Sequence, residues 1–394
     1  MKKRILWLIP PILILLLAFS IPALAKDIHP GGPFVQENQH VSDSAIMTFD
    51  EVEEKLLALE RRSKGLIKVD IAGNTLEGRP LYIAKIGWGP KKMWIQGRIH
   101  GNEPFGNNVC LEFLKSLLSK DKTLLDEMTF WVIPCYNPDG AEHFWRGNRF
   151  GVDLNRDWNR NYRWMYWVEW EDPTLDQRNF PVLPAEQGYF QPESQAFRLA
   201  WEEFHPDYMI DIHQQGTPVV EGTTEMSTFS IGISAAEHSL KGLSGIDGHS
   251  LPGAPDLTDI WDTCRRMAVV GYDAAKKLGY CTPTMYSFKG IDIWEGVAST
   301  AMLGLPGDVT APVWDGTEDD IAWVPEHNTA AIFFESRGGI GNKSRGYLIR
   351  QNVVALHAIV DAIASDELED VNADRWWELP WASYDYGDWG YREE

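Results

Sequence analysis

The sequence has few basic residues for its length. Its 394 residues include 36 lysines and arginines against 57 aspartates and glutamates, which gives a net charge of −21. Proteins that bind nucleic acid present a basic surface to the phosphates, so we predict no nucleic-acid partner. With 44% hydrophobic and 24% charged residues, the chain has the composition of a folded protein rather than of a disordered or collagen-like one.

Cysteines and long apolar runs are also scarce. The four cysteines, Cys110, Cys135, Cys264 and Cys281, form no Cys-x-x-Cys pair, which disfavours a zinc–thiolate site. Their number fits either disulfides formed in an oxidising compartment or buried thiols. After residue 25 no stretch is long and apolar enough to span a bilayer, so we predict no stable membrane insertion of the mature protein.

The N-terminus has the pattern of an export signal. Lys2, Lys3 and Arg4 precede the uncharged residues 5–25, which end in the small-x-small sequence Ala23-Leu24-Ala25. This order is typical of a cleaved signal peptide, and we therefore predict removal of residues 1–25 and secretion. An uncleaved membrane anchor is the alternative, because residues 5–25 are just long enough to cross a membrane.

Helical and extended patterns alternate along the chain, which predicts a single α/β domain over residues 46–365. Residues 26–45 form a short N-terminal segment. Residues 366–394 form an acidic, tryptophan-rich tail, interpreted as either a segment laid over the domain surface or a sugar- or wall-binding tail. Residues 161–191 and 214–255 look like long loops, which usually border functional sites. Strands are predicted at residues 66–71, 81–86, 93–99, 129–133, 208–212 and 330–334, and helices from Thr48 and over residues 109–118, 192–204, 256–278 and 347–364.

Three polar residues directly follow predicted strands. His100 follows strand 93–99, His213 follows strand 208–212, and Glu335 follows strand 330–334. Ligands of open α/β sheets bind at the carboxyl ends of the strands. We therefore expect these three side chains to share one crevice.

The residue types in this crevice suggest a metal site. His100 and Glu103 form the one His-x-x-Glu pair in the sequence, and His213 is the natural third ligand. Two histidines and one glutamate are the ligands of several catalytic zinc sites. The alternative for His213 is a strand-end histidine held by an ordinary hydrogen bond.

Arginines cluster in the neighbouring region although the chain is acidic. Asn155 and Arg156 are adjacent and offer several planar donors to a carboxylate, and Arg146 lies ten residues earlier. An exposed, solvated loop is the alternative. Glu335 ends an apolar run, where lost hydration raises a carboxyl pKa towards the range of a general base; a structural ion pair with Arg337 is the other reading.

Together these residues resemble the zinc carboxypeptidase family, the funnelin metallocarboxypeptidases related to carboxypeptidases A and T. The similarity runs from about residue 48 to residue 364 and depends on the order of several short motifs. These are residues 75–81, 99–103, 137–140, 145–146, 151–156, 211–213 and 334–335.

The resemblance implies a mixed central β-sheet flanked by helices and one zinc ion per chain, held by His100, Glu103 and His213. Asp153 is then the outer acceptor that fixes the His100 ring. It also implies hydrolysis of the C-terminal peptide bond of peptides, with zinc lowering the pKa of a bound water and Glu335 taking its proton. The substrate is a peptide with a free C-terminal carboxylate, bound by Asn155 and Arg156, while Arg146 stabilises the scissile carbonyl.

One departure concerns the substrate pocket. The family usually carries a tyrosine about twenty residues before the glutamate base, but no tyrosine occurs between Tyr286 and Tyr347. Trp314 or Trp323 could replace it, and Asp320 is a candidate specificity residue for a basic terminal side chain. Two alternatives therefore stay open: hydrolysis of cell-wall peptides or another amide bearing a free carboxylate, and a non-catalytic protein that binds peptides or wall material.

Overall fold

The computed structural model describes residues 46–119, 122–157, 191–216, 218–233, 258–286, 328–338 and 345–383. The helices within them are α1 (Phe49–Arg62), α2 (Gly106–Leu117), α3 (Thr123–Glu127), α4 (Pro138–His143), α5 (Pro192–Phe204), α6 (Thr258–Lys276) and α7 (Arg345–Ala364). The strands are β1 (Ile67–Asn74), β2 (Pro80–Gly87), β3 (Lys91–Gly97), β4 (Met128–Ile133), β5 (Tyr208–Gln215), β6 (Val219–Val220), β7 (Phe229–Ile233), β8 (Pro283–Met285), β9 (Ala330–Arg337) and β10 (Ala382–Ser383).

Eight of these strands form one mixed sheet in the order β1-β2-β4-β3-β5-β9-β7-β8. The central strands β4, β3, β5 and β9 are parallel to one another. The pairs β1–β2, β2–β4 and β7–β9 are antiparallel. Parallel strands are normally covered on both faces, and every residue of β9 is buried. This architecture confirms the predicted fold class.

Helices cover both faces of the sheet. Neighbouring residues of a strand point to opposite faces. Trp131 of β4 stacks on Phe204 of α5 with ring centroids 4.5 Å apart, whereas Phe130 meets Phe113 of α2 at 5.5 Å. Helix α7 lies on the same face as α2, because Asn352 donates to the hydroxyl of Ser336, which points away from the face that carries Glu335.

Two predicted helix boundaries are confirmed closely. At the start of α1 the Thr48 hydroxyl accepts from the Glu51 backbone N–H at 3.2 Å, and the Glu51 carboxylate accepts from the Thr48 N–H at 3.0 Å. This reciprocal capping box satisfies two amide groups that the helix leaves open. Helix α5 begins at Pro192 and ends at Phe204, as its pattern predicts.

The strand ends differ from the prediction. Strands β5 and β9 continue to Gln215 and Arg337, so His213 and Glu335 lie within strands rather than after them, and β3 ends three residues before His100. The polar residues at these ends interrupt the apolar runs, but parallel pairing continues through them: His213 pairs with Glu335, and Gln215 with Arg337.

The predicted loop over residues 214–255 is wrong for residues 229–233, because β7 is a buried strand next to β9. Ser230 and Gly232 within β7 are residue types common in loops, so the sequence does not indicate a strand here. Gly232 is required by close packing: a Cβ there would lie 1.9 Å from the Phe333 ring. Residues 234–257 lie outside the described residues, and so does the predicted loop 161–191 except for Gln191.

Residues 366–383 pack against the domain. Arg375 donates to both carboxylate oxygens of Asp273 on α6 at 2.8 and 3.0 Å, Trp376 is buried, and β10 pairs with β6. The boundary of the tail at residue 366 and the roles of residues 1–25 and 26–45 stay predictions. All four cysteines are buried free thiols. No described helix is long and apolar enough to cross a membrane.

Candidate metal centre

His100, Glu103 and His213 converge at the carboxyl ends of β3 and β5. One potential ligand atom from each residue lies within 4.8 Å of the other two. The His100 Nδ1 is 2.7 Å from the Glu103 Oε1, and the His213 Nδ1 is 3.0 Å from the Glu103 Oε2 and 3.2 Å from the His100 Nδ1. All three residues are buried.

The neighbouring strands β3 and β5 bring these residues together. The two strands are parallel, with Gly97 paired to Ile212, so the turn after β3 lies beside His213. Gln214 of β5 makes two hydrogen bonds to that turn. Its backbone N–H donates to the Glu103 carboxylate at 3.0 Å, and its side-chain oxygen accepts from the Phe105 N–H at 2.9 Å. The sequence prediction did not include this role of Gln214.

The turn also needs a glycine. A Cβ on Gly101 would lie 2.0 Å from the backbone carbonyl carbon of Gly140 at the start of α4. Because backbone cannot give way as a flexible side chain can, the chain between His100 and Glu103 can pass this helix only with glycine. The close approach fixes where the two ligands sit.

Each histidine contacts an aspartate with its other ring nitrogen. The His100 Nε2 is 3.2 Å from Asp153, which also accepts from the Arg146 Nε at 2.9 Å and the Asn155 backbone N–H at 2.9 Å. The His213 Nε2 is 3.1 Å from Asp211. Asp153 was a candidate from sequence and Asp211 was not, although an aspartate two residues before a strand histidine lies on the same face.

The charges around Glu103 favour its ionised form. Burial alone raises the pKa of the Glu103 carboxyl, but the His100 and His213 rings lower it more, so the pKa lies well below its usual range. The Arg146 Nη1, 3.6 Å from the Glu103 Oε1, adds positive charge at the same edge. About half of the Arg146 side chain is exposed, so it borders both the site and solvent.

Glu335 lies beside this cluster on the next strand. It pairs in register with His213, and paired residues of adjacent strands point to the same face. It is 7% exposed. The geometry therefore places a buried carboxylate beside His213.

The substrate-binding candidates are only partly described. Asn155 is buried in the short 3₁₀ helix Leu154–Arg156. The Arg156 side chain, Trp314, Asp320 and Trp323 lie outside the described part of the structure.

The converging atoms fit a zinc ion. Two imidazole nitrogens and one carboxylate oxygen are the donors that zinc accepts in catalytic sites, with a further position left for water or substrate. Zinc ligands normally have their second ring nitrogen bound to a carboxylate, carbonyl or water. The His100 Nε2 contacts Asp153, and the His213 Nε2 lies 3.1 Å from Asp211. The donor set is therefore compatible with one zinc ion.

Comparisons with known proteins agree with this geometry. Residues 52–223 match the family model described as zinc carboxypeptidase. Human carboxypeptidase A6 is 29% identical over 134 residues, which cover 28% of this chain and 31% of that protein. A probable carboxypeptidase 2 from Trichophyton verrucosum is 42% identical over 69 residues, or 17% of this chain and 13% of that protein. The chain thus spans about a third or less of these curated relatives.

Solved structures support the fold. Carboxypeptidase A from Helicoverpa armigera has a TM-score of 0.56 at 15% identity, covering 81% of this chain and 74% of that chain. Bovine thrombin-activatable fibrinolysis inhibitor, in complex with tick carboxypeptidase inhibitor, has a TM-score of 0.54 at 17% identity, covering 82% and 98%. The chain is thus similar to zinc carboxypeptidases over residues 52–223 and shares its fold with these solved structures.

Proposed function

We propose that this protein is a secreted zinc metallocarboxypeptidase that removes the C-terminal residue of peptides. The observation that carries the proposal is the convergence of His100, Glu103 and His213 beside Glu335, on three neighbouring segments at one edge of the sheet. The match of residues 52–223 to the zinc carboxypeptidase family model supports the same activity. Secretion rests on the signal pattern of residues 1–25.

The proposed division of labour follows from the side chains. His100, Glu103 and His213 hold the metal, which when bound polarises a carbonyl and makes water nucleophilic at neutral pH. A carboxylate oxygen of Glu335 accepts the proton of the attacking water and passes it to the leaving amine. The Arg146 guanidinium, fixed by Asp153 and partly exposed, donates to the negative charge that develops on the scissile carbonyl oxygen.

Recognition of the substrate's terminal carboxylate is assigned to Asn155 and Arg156. An arginine fork and an adjacent amide present several donors in the plane of a carboxylate. The 3₁₀ helix Leu154–Arg156 follows Asp153, which contacts His100, so this recognition group is connected directly to the metal ligands. A carboxylate bound beyond the scissile bond makes the enzyme an exopeptidase.

The wild-type protein provides the test. Purified mature protein is assayed for zinc content and then incubated with pairs of peptides that differ only in a free or an amidated C-terminus. The proposal expects about one zinc per chain and stepwise loss of single C-terminal residues from the free acids, read by mass. Internal cleavage, or equal rates on acids and amides, would contradict it.

A second candidate is hydrolysis of cell-wall peptides that bear a free carboxylate. It is favoured by the lack of any tyrosine between Tyr286 and Tyr347, since the pocket is then built differently from that of the usual family members. Adding peptides with D-amino acids to the same digest distinguishes the two, because only the second candidate prefers them.

Replacing Arg156 by alanine is expected to lower kcat/KM on free-acid peptides by about 10–100-fold. Charge-assisted hydrogen bonds contribute about 1.5–3 kcal/mol each, and the loss falls on the substrate carboxylate. Slow turnover of the amidated peptides should change much less. The measurement is kcat/KM of both peptide types on the same enzyme preparation.

Arg149→Ala is the matched control. Arg149 lies in the same region of chain but pairs with Glu77 at 2.7 Å, so its loss should leave the ratio of acid to amide rates unchanged. Equal losses on both peptide types in Arg156→Ala would rule out carboxylate recognition by this residue.

A further inference from the structure

A buried chain of hydrogen bonds leads from the interior of the sheet to Asp211, which lies beside His213. The Trp94 indole N–H donates to the Gln96 side-chain oxygen at 2.8 Å, and the Gln96 amide donates to Asp211 at 2.9 Å. The same Asp211 oxygen lies 3.1 Å from the His213 Nε2. Trp94, Gln96 and Asp211 have no exposed surface, and His213 is 1% exposed.

The chemistry of tryptophan gives this chain a direction. An indole N–H only donates, so the Gln96 oxygen must face Trp94 and its NH₂ group must face Asp211. Ionised Asp211 only accepts, and it therefore takes the Gln96 N–H. Its second neighbour, the His213 Nε2, must then also be the donor. That leaves the His213 Nδ1, which faces Glu103 and His100, with the lone pair that a metal needs.

We propose that Asp211 is a positioning residue for His213. It holds the imidazole with the proton on Nε2, so that Nδ1 is presented to the metal, and it sets how tightly the metal is held. The inference rests on the zinc site of the proposed function. It gives His213 a carboxylate partner equivalent to the Asp153 partner of His100.

The arrangement also explains how the Asp211 carboxylate can be fully buried from solvent. A buried carboxylate is costly unless hydrogen bonds and opposite charge compensate for its lost hydration. Gln96 on β3 supplies one donor, and His213, on β5 like Asp211 itself, lies close enough to supply another. A cation held by His213 would stabilise the negative charge further, and the charge in turn makes the imidazole a stronger ligand.

The test compares zinc affinity, measured by competition with a chelator, in the full mature protein and two variants. Asp211→Asn keeps the shape and removes the charge, whereas Asp211→Ala also removes the acceptor. Loss of such outer partners weakens metal binding by about 10–100-fold, and we expect the alanine variant to be the weaker binder. Asp207→Asn is the control, since Asp207 accepts from the Lys92 N–H between the same strands at their opposite ends and should leave zinc affinity unchanged.

A spectroscopic measurement distinguishes positioning from general damage. In zinc-loaded wild-type protein the Nε2–H proton of His213 should resonate downfield and exchange slowly with water, because it is held by Asp211. Asp211→Ala should make this exchange much faster while the other ligand histidine, His100, keeps its signal. If the Asp211 variants do not fold, Gln96→Met provides the second test, because it removes the amide that orients Asp211.

The outcomes separate this inference from the proposed function. The role of Asp211 would be overturned if Asp211→Asn and Asp211→Ala bound zinc as tightly as the wild type, or if Asp211→Ala left the exchange rate of the His213 Nε2–H proton unchanged. Either result would leave the metal site intact. A wild-type protein that binds no zinc would instead overturn the site on which the inference rests.

Discussion

Replacing Glu335 by glutamine is expected to lower kcat by about 100–10,000-fold, the usual contribution of a general base, while zinc remains at about one per chain. Glutamine keeps the size of the side chain and its place beside His213 on β9, but it cannot accept the proton of the attacking water. The change should therefore appear in kcat at saturating peptide. The measurement pairs kcat with metal content on one preparation.

A control must show that the loss of activity does not follow from replacing any buried carboxylate by an amide. Glu193, at the start of α5, has no exposed surface, and burial raises the pKa of its carboxyl. It contacts Asn148 rather than the metal ligands, so Glu193→Gln should keep turnover. An active Glu335→Gln variant would mean that another group is the base, and loss of zinc from it would mean that Glu335 also holds the metal. A non-catalytic binder would show no turnover even in the wild type.

The sequence was sufficient to predict that the candidate residues lie close together, because ligands of open α/β sheets bind at the carboxyl ends of strands and each strand can be recognised by itself. His100, His213 and Glu335 each stand where an apolar run ends, and parallel neighbours deliver such residues to one edge. This inference does not depend on the exact strand ends. The expected proximity of these residues therefore holds although β5 and β9 extend to Gln215 and Arg337.

The sequence failed where a signal depends on the neighbouring strand. Gly232 and Ser230 made β7 look like loop, because nothing local indicates that the Phe333 ring occupies the space above Gly232. Asp211 was interpreted as part of a motif only, because its proposed role depends on Gln96 of β3, 115 residues away in the chain. Gln214 was missed for the same reason: its contacts lie in the turn that carries Glu103.

Replacing His213 by alanine should abolish stoichiometric zinc binding. Loss of an outer partner of a ligand weakens metal binding by about 10–100-fold, and loss of the ligand itself must cost more, since one of only three protein donors disappears. We therefore expect zinc affinity to fall by well over about 100-fold and turnover to fall with it. Zinc content after dialysis and affinity by chelator competition are the measurements.

His357→Ala is the control for removing a partly buried histidine. His357 lies on α7, with its Nε2 2.6 Å from the Ser116 hydroxyl, on the face of the sheet away from the metal centre. Its loss should leave zinc at one per chain. A His213→Ala protein that folds and stays fully metallated would show that the third ligand is another residue, and it would remove β5 from the metal site, because His213 is the donor that this strand supplies.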